Sequence, residues 1–216
     1  MGIKVDIWSD IACPWCYIGK RKFEAGVAAF GGEVEVEYHS FELAPDTPVD
    51  FAGSEIDFLV KHKGMSAAQV KPMLDRVAGI AAEVGLDYDF DALQHTKTVK
   101  AHQLLHYAKQ HGKQVEAKER LLRAYFVEGR HVGRDEELAD LAAEVGLDRE
   151  DALQALQSNT FLDDVVADQD LAIRYGIQGV PFYVVDGKYG VSGPQSPETF
   201  TEVLEKVAEE RTAVAS

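Results

Sequence analysis

The spacing of apolar residues changes character along the chain, and each change marks an element. Lys4 to Trp8, KVDIW, is a short and mostly apolar run of the kind that makes a buried strand. From Pro14 the spacing lengthens: Trp15, Ile18, Phe23 and Val27 lie on one stripe of a helix. After Gly31 and Gly32 the segment Val34 to Leu43, VEVEYHSFEL, alternates again and is rich in β-branched and aromatic residues, predicting a second strand closed by the Pro45 to Pro48 loop. The opening is therefore β-α-β. Residues 54–176 read as a block of helices, with Ser54 and Ser66 placed as N-caps and Gly64, Gly85, Gly112 and Gly146 as C-caps. Pro72 inside this block predicts a kink or a shifted helix start. AAEVGLD occurs at 81–87 and again at 142–148 with different flanks, a repeated way of ending a helix and not a repeat architecture. Val180 to Val185, VPFYVV, restores a strand; Asp186 to Lys188 supplies a turn, and YGVSG an antiparallel partner. Ser196 and Pro197 then open an amphipathic helix predicted to reach about Arg211, with a frayed end beyond it.

Composition narrows what this pattern can do. A chain of 216 residues with 46% hydrophobic content buries a core without covalent staples, and its length favours one domain or one domain with a large insertion. A net charge of −15 repels phosphate backbones and anionic membrane surfaces, so neither nucleic acid nor a membrane is an expected partner. MGIKVDIWSD lacks the basic and long apolar regions of a secretory signal, and no later run approaches the roughly 18 apolar residues of a span. The expected address is the cytoplasm, where a Cys-x-x-Cys pair is catalytic or metal-binding more often than structural.

Both cysteines lie in such a pair, Cys13 and Cys16, at the predicted strand-to-helix junction. With Cys13 at the N-cap or first turn and Pro14 near the first helical position, the three-residue spacing puts both sulfurs on one face. The free N–H groups and positive dipole end there favour a thiolate at Cys13, so Cys13 attacks and Cys16 resolves. Asp10 opposes that thiolate if it points inward; it is also a candidate proton relay for Cys16, against a plain turn or capping role. Lys20, Arg21 and Lys22 lie at least a turn away, as expected of a solvated helix face. A zinc site is the competing chemistry, with His102 and His106 of HQLLH as the only suitably spaced histidines. Gln103 stands where a metalloprotease helix carries its Glu, and no second cysteine pair exists, so no metal is expected.

CPWCYIGKRKFE, SFELAPD and GVPFYVVDGKYGVSGPQ together resemble the thioredoxin-fold DsbA-like oxidoreductases, in particular their cytoplasmic FrnE-type branch. The resemblance implies an α/β thioredoxin fold, βαβ…ββα, whose halves at 1–53 and 177–216 are separated by a helical insertion at 54–176. Pro181 by itself reads as an ordinary strand-entry proline. The resemblance implies that the Val180–Pro181 bond is cis and faces Cys13, that Val180 offers its backbone to an extended substrate, and that Pro14 and Trp15 tune the dithiol.

These readings converge on a thiol-disulfide oxidoreductase, with reductase or isomerase work on protein disulfides weighted above oxidation. No bound cofactor is expected beyond a reversible Cys13–Cys16 disulfide. The partners are a disulfide-containing protein or small molecule and a reducing partner, glutathione or another thiol. The alternative is a glutathione-dependent isomerase or transferase akin to 2-hydroxychromene-2-carboxylate isomerase or kappa-class glutathione transferases, which usually carry serine at the position of Cys13 and lack the second cysteine. A non-enzymatic module gripping unfolded chains through Trp15, Tyr17 and Phe41 is the third.

Overall fold

The computed structural model describes residues 2–215. Strand β1 (Ile3–Ser9) leads into helix α1 (Pro14–Phe30) and strand β2 (Val34–Ser40). Seven helices follow: α2 (Glu55–Lys63), α3 (Ala67–Glu83), α4 (Val99–Gln110), α5 (Gln114–Phe126), α6 (Asp135–Glu144), α7 (Arg149–Gln157) and α8 (Leu162–Arg174). The chain closes with β3 (Phe182–Val185), β4 (Tyr189–Ser192) and α9 (Pro197–Ala215). The sheet order is β2-β1-β3-β4. β1 runs parallel to β2, with Val5 opposite Val36, and antiparallel to β3, with Val5 opposite Val185. This is the βαβ…ββα thioredoxin plan with helices inserted between its halves.

Alternation along β1 divides the molecule into layers. Ile3, Val5 and Ile7 face α1 and α9, where they pack with Phe23, Tyr183 and Phe200. Trp8 faces the other way, onto Ala172 of α8, Ile177 and Val184, so the last helix of the 54–176 span covers the second face of the sheet. A third core, built around Leu104, Leu121 and Phe126 of the inserted helices, takes in Ile11, Tyr17 and Ile18 from the start of α1. Burying each such large side chain stabilises by about 1.5–3 kcal/mol. The insertion thus shares its core with the helix that carries the cysteines.

Local sequence explains most boundaries. Ser54 and Ser66 each form a capping box, with Asp57 and Gln69 respectively. α3 starts where its Ser66 cap sets it and runs through Pro72 without interruption, so the proline neither moves the start nor ends the helix. Asp186 and Gly187 both take positive φ in the β3–β4 turn, closed by the Lys188 N–H on the Val185 carbonyl at 3.0 Å. α9 continues to Ala215, past the predicted end near Arg211, because Thr212 to Ala215 contain no glycine or proline to stop it. No helix among the described residues is long and apolar enough to cross a membrane.

Candidate active site

Cys13 is the N-cap of α1, with φ −96° and ψ 110°, and Pro14 occupies the first helical position. The Cys16 N–H donates to the Cys13 carbonyl at 3.0 Å, folding the Cys-x-x-Cys segment into the first turn. Both thiols are free and each is 3% exposed. The Cys13 thiol donates to the Val180 carbonyl at 3.6 Å, which brings the two distant segments together. The Val180–Pro181 peptide is cis, Pro181 is buried and Val180 is half-buried. Trp15 lies on the rim, 37% exposed, whereas Tyr17 is buried and Phe41 half-buried.

The two sulfurs titrate as a pair. Cys13 is pushed well above the ordinary thiol range, first by its hydrogen bond to Cys16, then by burial and by the Cys16 and Asp10 charges. For Cys16 burial pulls upward, but the bond from Cys13, the Lys118 ammonium and the Ser9 hydroxyl outweigh it and bring the thiol down. Within the reduced pair Cys13 is thus held toward the thiol form and Cys16 is drawn toward the thiolate. This differs from the sequence expectation of a depressed Cys13. The helix N-terminus acts on Cys13 as anticipated, but the groups that offset burial stand behind Cys16.

Asp10 points inward and is 1% exposed. Its Oδ1 accepts from the Ala12 N–H at 3.4 Å and from His102 Nε2 at 3.2 Å, and its Oδ2 accepts from the Leu43 N–H at 2.8 Å. Burial raises the carboxyl, yet His102, the Leu43 N–H and Thr98 together hold it below the usual carboxylate range. A carboxylate so engaged anchors the turn before Cys13 to α4 and to the loop after β2.

His102 and His106 do not act as a ligand pair. His106 Nε2 lies 3.1 Å from both Ser40 Oγ and Asp168 Oδ2, while His102 serves Asp10. His39, stacked on Trp8 at 4.4 Å, sits between Asp168 at 2.6 Å and Asp6 at 2.9 Å. Among the described residues the one cluster of ligand-type atoms is Asp6, Glu37 and His39, and Lys4 and Lys109 neutralise its carboxylates. Lys20 and Arg21 are not a solvated face either: Lys20 is 4% exposed, and both pair with Glu24 and Glu119.

Residues 4–205 match the sequence model of the family described as DSBA-like thioredoxin domain. The chain belongs to the DSBA-like thioredoxin family. A DSBA-like relative from Streptomyces coelicolor, described as a probable DsbA oxidoreductase, is 40% identical, with 96% of this chain and 91% of that one covered and a TM-score of 0.89. Two more distant structures share the fold. 2-Hydroxychromene-2-carboxylate isomerase is 16% identical, with 99% and 100% covered and a TM-score of 0.73. DsbM of Pseudomonas aeruginosa, a cytosolic disulfide reductase solved with glutathione, is 19% identical, with 95% and 99% covered and a TM-score of 0.68.

Within this DSBA-like site, Cys13, Cys16, Pro14, Val180 and Pro181 meet at the start of α1, with Trp15 at the edge and Asp10 behind. Sequence reasoning missed Ser9, Lys118 and Gly19, and named His102 only as a candidate zinc ligand, not as the partner of Asp10. Lys118 left a signal, a charged residue among the apolar positions Ala117, Leu121 and Leu122 of α5. A Cβ on Gly19 would lie 2.6 Å from Tyr183 Oη and 3.0 Å from Pro181 Cγ, so this glycine lets α1 press against the proline strand. Tyr88 Oη donates to the Pro14 carbonyl at 2.7 Å and braces the Cys-x-x-Cys turn from the insertion.

Proposed function

We propose that the protein is a thiol-disulfide oxidoreductase that reduces or isomerises disulfides through Cys13 and Cys16. The observation that carries this reading is the pairing of two free thiols in the first turn of α1, with Cys13 at the N-cap and against Val180. Cys16 is the sulfur drawn toward the thiolate form. Transfer of the shared proton from Cys13 to Cys16 moves the charge onto Cys13, at the positive end of a helix with no acidic first-turn residue. Cys13 then attacks a substrate disulfide to form a mixed disulfide, and Cys16 displaces the product.

The exposed Trp15 ring and the half-buried Val180 frame the approach to Cys13, and an extended substrate segment would lie along the Val180 backbone. A reducing compartment such as the cytoplasm would keep the pair in the dithiol form, and glutathione or another thiol would return it there.

The test is a trap. Cys16→Ser is expected to accumulate a mixed disulfide at Cys13 with glutathione disulfide or a disulfide-bonded protein, read by intact mass, and Cys13→Ser to form none. Adducts that form equally in both variants would sink the reading. Full turnover of a small-molecule substrate by Cys16→Ser would favour the glutathione-dependent isomerase alternative instead.

A further inference from the structure

Lys118 lies behind the cysteines and is not explained by the two-thiol scheme. Its side chain is 0% exposed, and its Nζ has no hydrogen-bond partner among the described residues. It lies 5.6 Å from the centre of the Tyr38 ring. α5 is held on both sides of it. One turn earlier Gln114 clasps the Tyr38 backbone, accepting from its N–H at 2.9 Å and donating to its carbonyl at 2.8 Å. The next residue, Glu119, accepts from Tyr17 Oη at 2.6 Å and pairs with Lys20 and Arg21 of α1. The amine is thus fixed at the buried side of the first turn of α1, at the cost of desolvating it without a partner.

We propose that Lys118 carries the second proton of the Cys13/Cys16 couple: an ammonium beside the singly ionised dithiol, and a neutral amine behind the disulfide. The inference rests on the thiol-disulfide reading above. The titratable groups facing Lys118 are Cys16, Asp10 and Cys13, with Lys20 and Tyr38 beside it. Burial pushes the amine down to about 8, and the charge on Cys16 is the largest influence holding it up. The others do not compete for the proton. Asp10 is held ionised by His102 and the Leu43 N–H, Lys20 is committed to Glu24 and Glu119, and burial keeps the Tyr38 phenol protonated.

The exchange balances. The Cys13 thiolate bonds to one substrate sulfur, and the other leaves with the electron pair of the broken S–S bond and is protonated from water. With the thiolate gone, the ammonium has lost its counter-charge and releases a proton to water. The amine then takes the Cys16 proton as Cys16 bonds to Cys13, and that proton goes to the second departing sulfur. The substrate gains two electrons and two protons; the cysteines lose the electrons, and Cys16 and Lys118 lose the protons. No unpaired charge stays buried behind the disulfide.

The experiment is the equilibrium with glutathione and glutathione disulfide, trapped by alkylation and read by mass, at steps between about pH 6.5 and 7.5, below both the Lys118 value of about 8 and the ordinary thiol range. For the wild-type protein protons balance on both sides, so the equilibrium constant is expected to stay level with pH. In Lys118→Arg the charge that supports the Cys16 thiolate remains but is not released, so the constant for oxidation is expected to fall about tenfold per pH unit, equal to about 30 mV. In Lys118→Met the loss of that charge lets Cys16 keep its proton, and the constant is expected to stay level. The Arg variant keeps the charge, so it separates proton release from packing. A tenfold slope in the wild-type protein, or one slope shared by all three, overturns the inference and leaves the thiol-disulfide reading standing. A wild-type protein that forms no Cys13–Cys16 disulfide in any buffer overturns both.

Discussion

Asp10 sits where one residue acts on both stability and reactivity. Its charge is among the influences that keep Cys13 protonated, and its oxygens tie the active-site turn to His102 and Leu43. Asp10→Asn is expected to cost about 1–3 kcal/mol of stability through the broken buried pair. It is also expected to lower the Cys13 pKa and speed alkylation at neutral pH roughly three- to tenfold. Urea unfolding and iodoacetamide kinetics measure the two effects separately. A loss of stability with an unchanged alkylation profile would make Asp10 an anchor alone. At this scale the sequence put the two candidate thiols together in the first turn of a helix, because two cysteines three residues apart at a proline-started helix fall on one face. It did not identify Lys118 as their neighbour, since a helical pattern says that a residue faces inward and not which atoms it meets.

Between elements, two glycines of α1 show how packing and chemistry divide. A Cβ on Gly26 would stand 2.7 Å from both Phe200 Cβ and the Pro197 carbonyl, where α1 meets α9. One on Gly19 would press on Tyr183 and Pro181 instead. Each Gly→Ala change is expected to destabilise by about 1–3 kcal/mol through overpacking. Gly19→Ala alone should also slow exchange with glutathione disulfide, because the displaced atoms belong to the proline strand facing Cys13. Equal exchange rates in the two folded variants would show that the Gly19 contact does not position the site. The hairpin was legible in the sequence from Asp186 and Gly187, and the starts of α2 and α3 from Ser54 and Ser66, since these signals are local. The extension of α9 to Ala215 was not, although no glycine or proline follows Arg211 to mark an end.

For the whole molecule, the His39–Asp168–His106 network joins the sheet to α8 and α4. Burial works against a charged His39, but the Asp168 and Asp6 carboxylates raise it from 6.5 to about 9. A histidine raised in the folded state gives stability that is complete below the unfolded value and is lost as pH rises through the folded one. The wild-type protein is therefore expected to lose about 1–3 kcal/mol relative to His39→Gln between pH 6.5 and 9, measured as the difference between their urea unfolding curves. A constant difference across that window would mean that His39 is not charged in the fold. The sequence by itself determined the order of strands and helices, the dithiol and its place at a helix start, because periodicity, caps and spacing act over a few residues. The family resemblance anticipated that the cis Val180–Pro181 bond faces Cys13 from 167 residues away; only the tertiary structure decided that α8 serves the sheet and that Lys118 and Asp10 share a dry space with the sulfurs. Those are matters of which faces a closed core brings together, and electrostatic interactions across it depend on distance and burial that no linear pattern records.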